Sequence, residues 1–437
     1  MQQEQDINTH LVWFRNDLRT IDNVVLNDAC NKADRVIAVY CLDPRHYEIS
    51  DYGFKKTEKY RAKFLLESLL DLKQELHKLN ISLLVYQDQP EKIIPQLCNK
   101  YKVSTIQITR EWTSEEQQVE QALRNKLPNT IEWNSHYNQF LYHPDDLNFE
   151  IAKTPQVFTA FRKKLEKYVD VRSCAMPKAL TASNRIEDST EIPSLPDLGF
   201  EDFTTSPESA FPFKGGETNA IQRIKSYFFE TKQLGFYKKT RNGLLGVDYS
   251  SKLSAWLANG SLSPRFIYQQ VKTFEKEHYK NQSTYWLIFE LIWRDYFKYI
   301  SMKHGNAIFK IDGILDKNYD WSRSFKLINK WIEGETSSDF VNANMIEIKK
   351  TGWMSNRGRQ NVASYFSKEL KLDWRIGAAY FEALLLDYDV HSNYGNWMYV
   401  SGVGNDPRDR KFNVERQAER YDTNGKYRRT WLQTELF

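Results

Sequence analysis

Four short clusters in this chain carry residue types that could do chemistry. Between Glu290 and Phe297, helical spacing puts Glu290, Trp293, Arg294 and Phe297 on one face. A carboxylate, an indole and a guanidinium together could hold a planar polar ligand. The same spacing also fits an ordinary surface pair between Glu290 and Arg294. Between Gly352 and Asn361, the donors Asn356, Arg357, Arg359, Gln360 and Asn361 crowd together. Arginine's rigid fork suits an anionic or electron-rich planar partner, and a solvated helix start would read the same way. Asp387, Asp389, Asn393, Gly395 and Trp397 form a third cluster, where glycine lets backbone approach a ligand. Asp387 could pair with Arg359 and so fix the ligand-facing side chains. In the fourth, Ser250, Ser251, Lys252, Leu253 and Ser254 precede an apolar helical stretch. Hydroxyls, free N–H groups and a lysine there make a phosphate cradle; simple serine capping is the alternative.

All four clusters fall in the second half of the chain, which reads as helical to its end. The first third is different. Buried strands are expected at 11–14, 36–42, 81–86 and 104–108, with helical spacing between them at 57–79 and 90–101. Strand alternating with helix means a parallel, Rossmann-like α/β sheet. No GxGxxG follows the first strand, so the usual dinucleotide fingerprint is missing. Residues 139–212 lose clear period and gather Pro177, Pro193, Pro196, Pro207 and Pro212, which reads as a linker. The expected layout is an α/β domain over 1–138, a linker over 139–212 and an all-α domain over 213–437.

Bulk composition narrows the class. A chain of 437 residues, 41% hydrophobic and 27% charged, is globular and large enough for two domains. No apolar run is long enough to span a bilayer, so no membrane partner is expected. The net charge of +4 neither demands nor excludes nucleic acid, because a basic groove can hide in a balanced total. Cys30, Cys41, Cys98 and Cys174 are scattered without a CxxC pair, which fits free thiols in a reducing compartment and no metal site. The first ten residues carry no signal-peptide pattern, and the expected location is cytoplasmic.

Taken in order, the four clusters resemble the FAD-binding domain of the photolyase–cryptochrome family. The opening Leu11 to Arg19, followed by Asp22 and Asn23, resembles that family's antenna domain. The stretches Val157 to Lys163, Asn356 to Ala363, Tyr394 to Trp397 and Val403 to Arg408 resemble its DASH-type branch. The resemblance implies that Tyr237, Ser250, Ser251, Lys252, Leu253 and Ser254 hold the diphosphate of a U-shaped FAD. Asn356, Arg359, Asp387 and Asp389 would line the isoalloxazine and ribose, with Arg294 also counted among the cofactor contacts. Asn393 would face flavin N5 and tune its electronics. Trp397, Trp374 and Trp321 would form an electron-transfer chain from flavin to surface.

The resemblance further implies light-driven repair of cyclobutane pyrimidine dimers, with the lesion flipped into a cavity above the flavin. Glu290 would stabilise the dimer radical anion and Trp293 would stack on its bases. Gln360 stands where ordinary photolyases of this class carry Met, and Tyr399 where they carry a second Trp. One stacking wall fewer weakens capture of a flipped dimer by about a kilocalorie or more. Preference for single-stranded or looped DNA is therefore expected, since no pairing must be broken there. Asn356 and Gln360 occupy positions where six-four photolyases place two histidines, which argues against that chemistry. The loop Thr336 to Ala343 lacks the family's usual Gly, Pro and Asp. Arg408, Arg410 and Lys411 are candidate DNA contacts. Methenyltetrahydrofolate is the expected antenna, between the domains, with Glu115 as a pterin contact. A signalling photoreceptor is the competing reading; photoreceptors often carry a long C-terminal extension, and this chain ends soon after its last motif. A plain flavin oxidoreductase would need a hydride site, and no motif suggests one. A monomer is expected.

Overall fold

The computed structural model describes residues 7–187, 190–317, 319–406 and 408–433. Residues 1–6 of the stretch read for a signal, Pro407 of the 403–408 motif, and residues 434–437 lie outside the described part.

The first half is a five-stranded parallel sheet: β1 (Thr9–Trp13), β2 (Arg35–Cys41), β3 (Leu83–Tyr86), β4 (Val103–Thr109) and β5 (Glu132–His136). The strand order is β3-β2-β1-β4-β5, parallel at every pairing. Helices α1 (Val24–Lys32), α2 (Lys59–Lys78), α3 (Pro90–Tyr101) and α4 (Ser114–Arg124) make the crossovers. Every residue of β1 is buried, as expected for a central strand covered on both faces. By contrast β5, Glu-Trp-Asn-Ser-His, sits at an edge half in solvent and escaped the sequence reading because it has no apolar run. The chain runs outward in both directions from the β1–β4 pair. That makes the carboxyl ends of β1 and β4 the switch point where such sheets open a crevice.

Segment 139–212 is more ordered than its composition suggests. It carries α5 (Phe158–Tyr168), whose Phe158, Phe161 and Leu165 are buried in the helical core. Those three sit at helical spacing, a period masked by the basic residues between them.

The second half is helical: α6 (Glu217–Ile224), α7 (Tyr237–Thr240), α8 (Ser254–Ala258), α9 (Pro264–Glu277), α10 (Gln282–His304), α11 (Phe325–Glu333), α12 (Asp339–Thr351), α13 (Asn356–Ser364), α14 (Trp374–Leu384), α15 (Val390–Ser401), α16 (Val414–Tyr421) and α17 (Lys426–Leu432). The long α10 starts at an Asn281–Thr284 capping box and runs through the core. Buried polar groups bolt the halves together. The fully buried Arg19 donates to the carbonyls of Asp22, Asn138 and Gly260. Arg265 pairs with Asp22 at 2.8 Å. No described helix is long and apolar enough to cross a membrane. The turn at 336–338 closes onto the first turns of α12 through Asn342, whose Oδ1 accepts from Thr336 N and Oγ1 and whose Nδ2 donates to Thr336 O.

Candidate active site

Three recesses meet around the middle of α10. The first is lined by Tyr237, Ser250, Ser251, Lys252, Leu253, Ser254, Arg294, Asn356, Arg359, Asp387 and Asp389. Segments far apart in sequence thus converge on one pocket. The helix expected after Ser250 is only five residues long and begins at Ser254. The preceding turn does the positioning: Lys252 takes a left-handed φ of 64°, which folds its side chain inward. Its ammonium is buried over the Tyr249 ring, 3.1 Å from the centroid, and makes no hydrogen bond among the described residues. Burial holds its pKa well below that of an ordinary lysine. An anion in this pocket would relieve that cost. Close to it is the fully buried Glu347, which accepts from Tyr427 at 2.6 Å and is pushed up to about 7 by burial.

Arg359 and Asp387 form an ion pair at 2.9 Å, and Arg359 Nε donates to the Met354 carbonyl. Both sit at turns before or within short helices, so the pair locks α13 against the start of α15. Asp389 caps α15 through Ser392 N at 2.8 Å and receives Lys298 at 2.9 Å. Burial alone would raise Asp389, but the charges of Lys298 and Arg294 hold it far below the usual carboxylate range. Asn393, one turn on, donates its amide to the Ala378 carbonyl at 3.0 Å. It lines a recess with Trp397, Arg359, Asp387 and Asp389 that continues the first.

Glu290 and Arg294 do not pair with each other. Glu290 binds Arg241 at 2.8 Å, while Arg294 donates to the carbonyls of Gln139 and Leu257. The surface-pair alternative fails because this face of α10 points into the protein. Burial raises the Glu290 pKa and Arg241 pulls it back. Together with Trp293, Gln360, Asn396, Tyr399 and Arg410, Glu290 lines a second recess. Arg294 and Asn356 border both it and the first. Trp293 lies flat on Phe158, and Tyr399 meets it edge-on at 6.1 Å. Gln360 accepts from Arg357 at 2.9 Å. Arg410 sits near Asp406, 3.4 Å away, whereas Lys411 turns to Glu369 and Arg408 is exposed. Phe158 was not read as a site residue; its spacing with Phe161 and Leu165 was the available signal.

The tryptophans are ordered by helix packing. Trp397 is buried against α14 at Gly377, where an added Cβ would come within 2.3 Å of the indole. Trp374 lies one turn earlier on α14, fully buried, its indole N–H donating to Ile311 O. Ser322 bonds to both Lys371 O and Asp373 N, which docks the half-buried Trp321 beside the start of α14.

The third recess lies between the halves, at the switch point. Glu115 is on its rim, ion-paired with Lys56 and largely exposed. Glu111, which the sequence reading passed over, lines the same recess and is pushed up to about 7 by burial. Its place just after β4 was the signal. Arg294 and Asp389 border this recess as well as the first. Trp112, next to Glu111, stacks on the neutral His391 at 4.6 Å and donates to Ser301. Among the described residues no group of His, Cys, Asp or Glu is arranged to hold a metal ion.

A doubly wound parallel sheet joined to a helical body, with an anion-seeking pocket continuous with one lined by Asn393 and Trp397, defines a two-domain nucleotide-cofactor protein. Residues 10–180 match the DNA photolyase family, and residues 286–435 match the FAD binding domain of DNA photolyase. The chain is 47% identical to cryptochrome DASH of Gloeobacter violaceus, covering 97% of this chain and 85% of that protein. It is 47% identical to cryptochrome DASH of Xenopus laevis, covering 96% and 81%. The crystal structure of a Synechocystis cryptochrome superposes with a TM-score of 0.93 at 44% identity, covering 98% of this chain and 89% of that one. A class III photolyase from Agrobacterium tumefaciens gives a TM-score of 0.82 at 26% identity, covering 99% and 88%. The chain therefore belongs to the photolyase–cryptochrome family, among its DASH cryptochromes, and its helical half is an FAD-binding domain.

Proposed function

We propose that this flavoprotein repairs cyclobutane pyrimidine dimers under blue light, preferentially in single-stranded or looped DNA. When bound, reduced FAD supplies the excited-state electron that splits the dimer. The observation that carries this reading is the shared wall: Arg294 and Asn356 border both the pocket fitted to the cofactor and the recess holding Glu290 and Trp293. The stranded Lys252 ammonium fits a diphosphate, and the Arg359–Asp387 pair fixes donors beside a flat ring system. In the second recess Trp293 offers a stacking face. Burial raises the Glu290 pKa, and in its protonated form Glu290 can donate a hydrogen bond to charge developing on a dimer carbonyl. Tyr399 in place of a second indole leaves the opposite wall weak, which favours lesions that need no unpairing.

Trp321, Trp374 and Trp397 would carry electrons inward to keep the cofactor reduced. Arg410 and Arg408 would meet the phosphate backbone, with affinity falling as salt rises. Methenyltetrahydrofolate would occupy the recess between the halves, with Glu111 beside Glu115 as its polar contacts. Three of the four free cysteines are buried, in keeping with a reducing compartment such as the cytoplasm.

The test is photorepair of one thymine dimer in matched single-stranded and duplex oligonucleotides, using reduced protein and blue light. Repair confined to the single strand is expected. Equal repair of both would remove the role given to Tyr399 and Gln360. Absence of repair by photoreducible, flavin-loaded protein would instead favour a photoreceptor that signals through the tryptophan chain.

A further inference from the structure

Beyond Trp321 the aromatic path does not stop. The Tyr319 ring meets Trp321 edge-on, with centroids 5.4 Å apart and an interplanar angle of 60°. The Tyr319 hydroxyl donates to Asp409 Oδ2 at 3.1 Å. The other oxygen of Asp409 takes the Lys368 ammonium, which also lies over the Tyr319 ring at 5.0 Å. Gly402 fixes that carboxylate in place: an added Cβ there would stand 2.0 Å from Asp409 Oδ1, so only glycine lets the acid settle against the end of α15. Trp321 itself has a buried indole N–H with no partner among the described residues. The Trp321 N–H thus meets no acceptor among the described residues, whereas Tyr319 has a base in hydrogen-bond contact.

We propose that Tyr319 is the outermost electron donor of the tryptophan chain, reducing oxidised Trp321 while its phenolic proton passes to Asp409. The proposal rests on the reading of Trp397, Trp374 and Trp321 as that chain. The step balances as follows. Bound oxidised FAD would be the acceptor of the electron that light draws from Trp397, and the hole would be relayed outward through Trp374 until Trp321 is a radical cation. Tyr319 gives it one electron and restores the neutral indole. The Tyr319 O–H bond breaks, its proton goes to Asp409 Oδ2, and a neutral tyrosyl radical faces a neutral carboxyl. A thiol or other one-electron reductant in solution then resets Tyr319. An oxidised phenol is a strong acid, so losing the proton at once makes the transfer downhill and hard to reverse. Burial would raise Asp409, but the hydrogen bond and charge of Lys368 hold it below the ordinary range, so the acceptor is a carboxylate at neutral pH. Lys317 adds a further positive charge at the site. A structural role alone would need no base at the hydroxyl, because the half-buried phenol could bond to water.

Flash photolysis of the oxidised, flavin-loaded protein tests this. Transient absorption would follow the Trp321 radical cation, and electron paramagnetic resonance would identify the final radical. Wild type should yield a tyrosyl signal that narrows on ring-deuterated tyrosine. Tyr319→Phe should abolish that signal and lengthen the Trp321 radical lifetime at least tenfold. Asp409→Asn should slow the same decay and remove its solvent deuterium isotope effect. Unchanged decay and spectrum in Tyr319→Phe, with the Trp321 radical plainly formed, would overturn the proposal alone. A spectrum unaffected by Trp321→Phe would overturn the chain reading, and this proposal with it. Flavin absorbance of each variant reports that the fold is intact.

Discussion

The Trp293 indole lies flat on the Phe158 ring, with 3.6 Å between centroids and 9° between planes. Phe158 comes from α5, in a segment whose composition reads as linker, while Trp293 comes from the middle of α10. One face of the indole is thus already stacked, and the ring is held still for whatever enters the second recess.

Removing that backing should loosen the indole. Phe158→Leu keeps most of the buried volume but deletes the stack, worth about 1 kcal/mol. Binding of a dimer-bearing single strand, read by fluorescence anisotropy, should weaken several-fold with a small drop in Tm. Phe158→Ala should cost about 3–5 kcal/mol of stability as a large-to-small core change. Unaltered binding in the leucine variant would mean that Trp293 needs no support.

Restoring an indole opposite should shift substrate choice. Tyr399→Trp adds a stacking wall worth about 1–3 kcal/mol per base. Duplex repair should rise about fivefold or more relative to single-strand repair, measured as the ratio of photorepair quantum yields. A ratio that stays put would locate the preference elsewhere, in the exposed basic residues.

The Arg359–Asp387 pair should govern cofactor affinity. Arg359→Met leaves the buried Asp387 carboxylate without its partner, a loss of about 3–5 kcal/mol for a fully buried pair and less here because Arg359 is partly exposed. FAD dissociation should accelerate about tenfold to a hundredfold, followed by the recovery of flavin fluorescence. Arg359→Met combined with Asp387→Asn should recover part of the loss; a purely additive double variant would argue against the pairing.

Glu347 should make stability depend on pH. Its folded pKa is raised, to about 7, so the folded chain holds a proton that the unfolded chain has already lost above about pH 4.3. Stability therefore falls as pH rises from about 4.3 to about 7 and then levels off. The full span is about 4 kcal/mol. Glu347→Gln keeps an acceptor for Tyr427 and should flatten that slope, leaving the variant the more stable protein at pH 8. Urea midpoints across this range decide it; parallel curves for the two proteins would place the proton elsewhere.

How much of this was legible beforehand differs by element. The apolar runs of β1 to β4 and the helical periods of α2 and α3 specify a parallel sheet with crossovers, because burial on both faces demands continuous apolar strands. The polar edge strand β5 gave no such sign. The period of α5 was hidden because lysines and arginines fill its solvent face. The clusters around Glu290, Asn356, Asp387 and Ser250 could be found by residue type and order, since chemistry selects side chains directly.

Partnership is another matter. Sequence spacing offered Arg294 to Glu290, and the fold gave it Arg241 instead, 49 residues away along the chain. Spacing put Lys252 in a candidate phosphate cradle, but only the fold showed that a left-handed turn drives its ammonium into the pocket over the Tyr249 ring, with no hydrogen bond among the described residues. Glu111 was passed over for Glu115 although its place just after β4 marked it; that both line the crevice, and that Glu111 is the more buried, came from the fold. The sequence by itself determined the layered architecture, the family and the residue types at the site, because hydrophobic period and side-chain chemistry are properties of local sequence. Only the tertiary structure decided which charges meet, which are stranded and which rings stack, because those depend on contacts between segments that loop closure brings together from anywhere in the chain.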